Sequence, residues 1–94
     1  MPLTKLENEL RSQARALIQE GRLPATPPLG TWGGSGVGEP CSLCQKVIGA
    51  HEVEYEVRDS TQAYRFHFLC HAAWQFEQAR REHFDTTEGA SLFT

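Results

Sequence analysis

The apolar positions of this chain keep different periods in turn, and each period predicts an element. Leu3, Leu6, Leu10, Ala14, Leu17 and Ile18 recur at the three-and-four spacing of a helix with one narrow apolar stripe. Thr4 followed by Glu7 is the pattern of a capping box, in which each side chain satisfies a backbone amide of the other residue. Gly21 suits the left-handed residue that closes a helix, and Pro24 forbids continuation. The pattern predicts a helix from Thr4 to about Glu20. Its other faces mix Lys5, Arg11 and Arg15 with Glu7, Glu9 and Glu20, and the Glu7–Arg11 pair adds only about 0.3 kcal/mol. Burial of the stripe must supply the rest. The stripe is expected to pack on the remainder of the chain. The face bearing Leu6, Leu10 and Leu17 is also the natural surface for a protein partner or a homodimer.

A second period begins at residue 51. Val53, Tyr55 and Val57 alternate with Glu52, Glu54, Glu56 and Arg58, the signature of a half-buried strand. Asp59, Ser60, Thr61 and Gln62 supply turn chemistry, and residues 63–68 return as the partner strand. Tyr64, Phe66 and Phe68 are expected on the apolar face, with Arg65 pairing across to the glutamates. The glutamate row reads as a solvated face, with docking of a basic partner as its other use. Residues 45–49 read as a short strand that turns at Gly49 and Ala50. From Phe68 to about Phe84 the period turns helical again, with Leu69, Ala72, Ala73, Phe76, Ala79 and His83 on one broad face. Trp74 lies one turn beyond Cys70, and Arg80 and Arg81 complement the helix dipole. Residues 85–94 hold turn formers without periodicity and are expected to be a flexible tail.

Between the first helix and the strands, residues 24–40 carry four prolines and five glycines, which exclude a regular helix or a central strand. They are expected to form a linker, extended at first and then loose or tightly turned. The glycines of 34–38 superficially suggest a phosphate cradle, but no strand precedes them, no helix follows, and the lysine of a P-loop is missing. Trp32 is expected to tuck onto the following module and pin the linker, because a large exposed indole is costly.

Composition narrows the function classes. At 94 residues the chain holds one compact domain with appendages. No apolar run approaches a membrane span, the charged N-terminus lacks the pattern of a signal peptide, and three cysteines argue for reduced thiols. The expected compartment is the cytoplasm. Residues 1–40 balance four basic against four acidic side chains, whereas 41–94 carry five against eight. Counting three thiolates and one divalent ion, the loaded chain falls from −3 to −4. A field of that sign opposes nucleic acid.

The candidate chemistry lies in Pro40-Cys41-Ser42-Leu43-Cys44 and in Arg65-Phe66-His67-Phe68-Leu69-Cys70-His71. A C-x-x-C pair, 22 residues and an H-x-x-C pair place Cys41, Cys44, His67 and Cys70 at a spacing used by structural zinc sites. The first pair fits a backbone knuckle whose amides donate to the thiolates, and the second fits a helix entry. His71 points about 100° around the helix from Cys70, and His83 lies about 20 Å along it. His51 lacks a paired spacing. Zinc suits thiolate and imidazole donors better than iron in a closed tetrahedron.

Four protein donors leave no position for water, which argues against catalysis. The zinc-deaminase pattern fails because His51 and Glu52 are adjacent and follow the cysteines. A thioredoxin-type site fails because the C-x-x-C does not sit between a strand and a helix. The expectation is therefore a protein without enzymatic activity. The alternatives are a nucleic-acid-binding zinc finger and, next, a metalloenzyme with an open zinc site.

C-x-x-C, a hairpin and H-x-x-C leading into a helix resembles the treble-clef zinc fingers. The spacing of Cys41, Cys44, His67 and Cys70 is similar to one zinc-binding half of a LIM domain, although the second set of four ligands is absent. Trp32 through Cys44, with His67 through Trp74, is also similar to small uncharacterised bacterial zinc-binding proteins. The resemblance implies a small α+β fold stapled by one structural zinc, and recognition work for a protein partner through the α-helical leucine face or Trp32. The expected organisation is an N-terminal helical segment (1–23), a Pro/Gly-rich linker (24–40), a treble-clef module of knuckle, β-hairpin and helix (41–84) and the tail (85–94).

Overall fold

The computed structural model describes the backbone of residues 4–92 and the side chains of residues 4–81. Leu3, the His83 side chain and residues 93–94, which enter the expectations above, lie outside the described residues. The first element, α1 (Lys5–Gln19), forms where the leucine stripe predicts it. Thr4 caps it: its Oγ1 accepts from the Glu7 amide at 3.1 Å, and the Glu7 carboxylate accepts from the Thr4 amide at 3.5 Å. At the other end Gly21 turns to φ +76°, where a side chain would be strained. Leu10, Ala14 and Ile18 are buried, and Leu17 packs beside them. Leu6 stays half-exposed at 52%.

Three strands follow, β1 (Gly30–Ser35), β2 (Val53–Arg58) and β3 (Ala63–His67), in one antiparallel sheet of order β1-β2-β3. The first corrects the linker expectation. Proline and glycine disfavour a central strand, but residues 30–35 contain no proline and lie at the sheet edge, where an uncrowded backbone suffices. Trp32 is likewise corrected. It shares its side of the sheet with Arg58, away from the helices, and is 54% exposed with its ring 5.0 Å from the Arg58 guanidinium. Beyond β1, the Gly36 amide donates to the Glu52 carbonyl at 3.0 Å. A Cβ at Gly36 would collide with the carbonyl oxygens of Ile48 and Gly49, so glycine is what lets the two segments close.

Residues 45–49 form no strand, only a single bridge between Pro40 and Val47. The chain reverses too sharply there: Gln45 takes φ +71° and donates to the Cys41 carbonyl at 3.0 Å, while the Cys41 amide donates to the Lys46 carbonyl at 2.8 Å. The β2–β3 turn is as expected. Asp59 Oδ1 accepts from the amides of Thr61 and Gln62 at 2.8 and 2.9 Å. The register pairs Tyr55 with Phe66 and Val57 with Tyr64.

The glutamate row is not uniformly solvated. Glu54 is only 7% exposed, and Arg65 reaches across from β3 to its Oε2 at 2.6 Å and to Glu56 Oε1 at 3.3 Å. A carboxylate on the central strand is flanked by both neighbours, so alternation alone misjudges its exposure.

The last element, α2 (Phe68–Leu92), crosses the sheet face of Val57, Tyr64 and Phe66, with Trp74 stacked on Phe66 at a centroid distance of 5.4 Å. Its buried face is Cys70, Ala73, Trp74, Glu77 and Gln78. That corrects the expected face: Leu69 and Phe76 are 42% and 49% exposed, and Ala72 and Ala79 are exposed. Phe68 is 58% exposed, because the chain leaves the strand at His67 and the alternation ends there. Cys70 and Trp74 set the rotation of α2, and the remaining apolar residues follow. The helix also continues through 85–92, where a tail was expected. Helix extension from a formed segment is cheap, even across Gly89 at about 1 kcal/mol.

α1 lies against α2 through a buried carboxylate. Glu77 accepts from Arg11 Nε at 3.1 Å and Arg15 Nε at 2.9 Å, with Arg80 at 3.4 Å. The Arg11 guanidinium also lies 3.6 Å over the Phe76 ring. The Trp74 indole donates to the Pro24 carbonyl at 2.9 Å, anchoring the segment between α1 and β1. Among the described residues no helix is long and apolar enough to cross a membrane.

Candidate metal centre

The tight turn of residues 41–45 presents Cys41 and Cys44 to one side. Leu43 donates its amide to Cys41 Sγ at 3.4 Å, the kind of bond that stabilises a thiolate. Ser42, between the cysteines, ties this knuckle to the outer edge of β3. Its amide donates to the Arg65 carbonyl at 2.7 Å, and its Oγ accepts from the Arg65 amide at 3.1 Å. Two residues further on, His67 ends β3, and Cys70 sits in the first turn of α2. The knuckle and the strand–helix junction are therefore clamped together by backbone.

The structure brings Cys41, Cys44, His67 and Cys70 together, with one donor atom from each and all four atoms within 4.8 Å of one another. His67 Nδ1 lies 3.4 Å from Cys44 Sγ and 4.0 Å from Cys70 Sγ. A tetrahedral ion with the bond lengths usual for zinc needs adjacent donors about 3.5–3.8 Å apart. The observed separations bracket that edge, so these side chains fit a small tetrahedral cation. Cys41 and Cys70 are buried and Cys44 is half-buried.

The thiols perturb one another strongly. The hydrogen bond from Cys70 is the main cause that lowers Cys41 to about 4, against the opposing effect of burial. The same bond, with burial and the negative charge nearby, pushes Cys70 well up. One thiolate held by its neighbours is the arrangement a crowded thiol pocket adopts, and a divalent ion is what allows all three to ionise together.

The outer nitrogen of His67 is held as well. Nε2 lies 3.3 Å from the Val47 carbonyl and 3.7 Å from Glu52 Oε2, leaving Nδ1 directed at the thiols. Glu52 is fixed in turn by the Gly49 amide at 2.8 Å. Sequence reasoning did not single out Ser42, Val47 or Glu52 for the site. The visible signals were a hydroxyl inside C-S-L-C and a carboxylate at the start of β2.

Among the described histidines, His71 and His51 stay outside the cluster. His71 stacks on Tyr55 at 4.6 Å, and burial lowers its pKa. His51 is exposed in the turn before β2. On the solvent side Cys44, His67 and Cys70 border an open cleft of about 370 Å³, walled by Leu6, Val53, Phe68 and Leu69. No protein-family model, curated protein or solved structure matches the chain.

Proposed function

We propose that this chain is a non-enzymatic zinc protein, in which one structural ion held by Cys41, Cys44, His67 and Cys70 staples a treble-clef unit that serves protein interaction or regulation. The observation that carries the proposal is the convergence of the four donor atoms within 4.8 Å from two segments far apart in sequence. Three sulfurs and one imidazole suit zinc in closed tetrahedral geometry, with no coordination position left for a reacting water. The clamp on His67 Nε2 supports a permanent ligand role.

The distribution of positive charge supports protein over nucleic acid as the partner. Arg11, Arg15 and Arg80 are engaged by Glu77, and Arg58 and Arg65 by Glu54 and Glu56. Five of the nine basic side chains therefore neutralise carboxylates of the same molecule. Of the contacts expected from the sequence, Leu10 and Leu17 turn inward, whereas Leu6 and Trp32 remain exposed for a partner. Reduced thiols at such a site accord with a cytoplasmic protein.

The test is elemental analysis with zinc-edge X-ray absorption on the purified chain. One zinc per chain with three sulfurs and one nitrogen is the expected result. An oxygen from water in the shell, or no metal, would overturn the proposal and return the thiols to consideration as catalytic or redox groups.

A further inference from the structure

The two edges of the sheet are treated differently. Hydrogen bonds on the outer edge of β3 are taken by the knuckle at Ser42. The outer edge of β1 has no such cover. The Gly36–Glu52 bond fixes the parity of the β1–β2 ladder: even-numbered residues of β1 face β2, and Thr31, Gly33 and Ser35 aim their N–H and C=O groups outward. Among the described residues nothing pairs with those groups, and β1 is exposed from Thr31 to Ser35. Proteins blunt such an edge with lysine, proline, a bulge or an inward charge, and residues 30–35 carry none of these.

We propose that β1 is a homodimerisation edge, along which two copies pair antiparallel about a two-fold axis at Gly33 to make one six-stranded sheet. The strand is self-complementary in that register. Gly33 meets Gly33, Thr31 meets Ser35, and Trp32 of each copy faces Gly34 of the other. An aromatic over an edge glycine is a favourable cross-strand pair, and here it would cover the exposed indole twice. An isologous contact requires that one patch complement itself. Two copies of a negative chain meet there without like charges in contact, because residues 30–35 carry no charge. No metal donor lies in β1, so the inference goes beyond the metal reading and stands or falls apart from it.

The test is sedimentation velocity over a concentration series with the full chain and two double variants, each checked for folding by near-UV circular dichroism. T31K/S35K places lysine against lysine across the two-fold, whereas T31K/S35E places lysine against glutamate. The expected result is a reversible wild-type dimer, a rise of about tenfold in its dissociation constant for T31K/S35K, and retention for T31K/S35E. A monomeric wild type at sub-millimolar concentration overturns the proposal, even if it binds an extended peptide. So does association that both variants leave intact, or weaken equally, since the interface would then lie elsewhere or in another register.

Discussion

At the scale of single residues, His67 joins sheet, knuckle and helix. Its Nδ1 faces the thiols while Nε2 is held by Val47 and Glu52, so its replacement separates ligation from packing. His67→Ala removes one donor, and the expected outcome is loss of metal and of the folded state. His67→Cys restores a fourth soft donor at the same position. The expected outcome there is retained metal with a shell of four sulfurs, read by zinc-edge absorption, because four-thiolate sites are as acceptable to zinc as this one. Equal loss of metal in both variants would mean that the imidazole acts through packing. The clustering of Cys41, Cys44, His67 and Cys70 was legible from spacing because cysteine and histidine pairs three apart leave a mark in the sequence itself. The residues that orient those donors were not. The Val47 contact runs through a backbone carbonyl, which no side-chain pattern records, and Glu52 was absorbed into a row of alternating glutamates.

At the scale of elements, two junctions set the architecture. The first is the close approach at Gly36, where Gly36→Ala would drive a methyl group into the carbonyls of Ile48 and Gly49. A loss of about 1–3 kcal/mol in denaturant unfolding is expected, whereas an unchanged midpoint would show that the knuckle segment can shift aside. The second is Glu77 between the helices. Burial alone would raise its pKa, but hydrogen bonds from Arg15 and Arg11 outweigh it and hold the carboxyl below its usual range. A folded pKa below the unfolded one means stability present above the unfolded value, near 4.5, and lost as pH falls through the folded value. Glu77→Gln is expected to cost about 1–3 kcal/mol at neutral pH and to flatten the pH dependence below 4.5; parallel acid titrations of the two proteins would refute this. α1 and the β2–β3 hairpin were legible because a cap, a stripe, an alternation and a turn all pointed the same way. β1 was hidden because its glycines argue against a strand unless its edge position is known. The face of α2 was misread because Cys70 and Trp74, rather than the count of apolar residues, determine which side turns inward.

For the whole molecule, the question is whether the segments behave as one cooperative unit. The sequence places boundaries near residues 24 and 41, yet α1 leans on α2 through Glu77, β1 pairs with β2, and Trp74 holds Pro24. Two donors, Cys41 and Cys70, belong to the same buried cluster as Leu10, Ile18, Phe66 and Trp74. The segment that carries all four donors, residues 41–84, is too short to supply a self-sufficient core, and the other segments pack onto it. Structural zinc contributes on the order of 10 kcal/mol in small modules, comparable with the entire stability of a typical domain at about 5–15 kcal/mol. Chelation is therefore expected to unfold the chain as a whole. Helical circular dichroism, the near-UV signal and the emission of buried Trp74 are expected to fall together in one transition, with α1 lost as well as residues 41–84. If metal-free protein kept its helical signal while the near-UV signal collapsed, the two helices would form a unit of their own. If both signals survived with the metal demonstrably gone, the apolar core would be sufficient, and the four-residue cluster would owe its conformation to packing rather than to an ion.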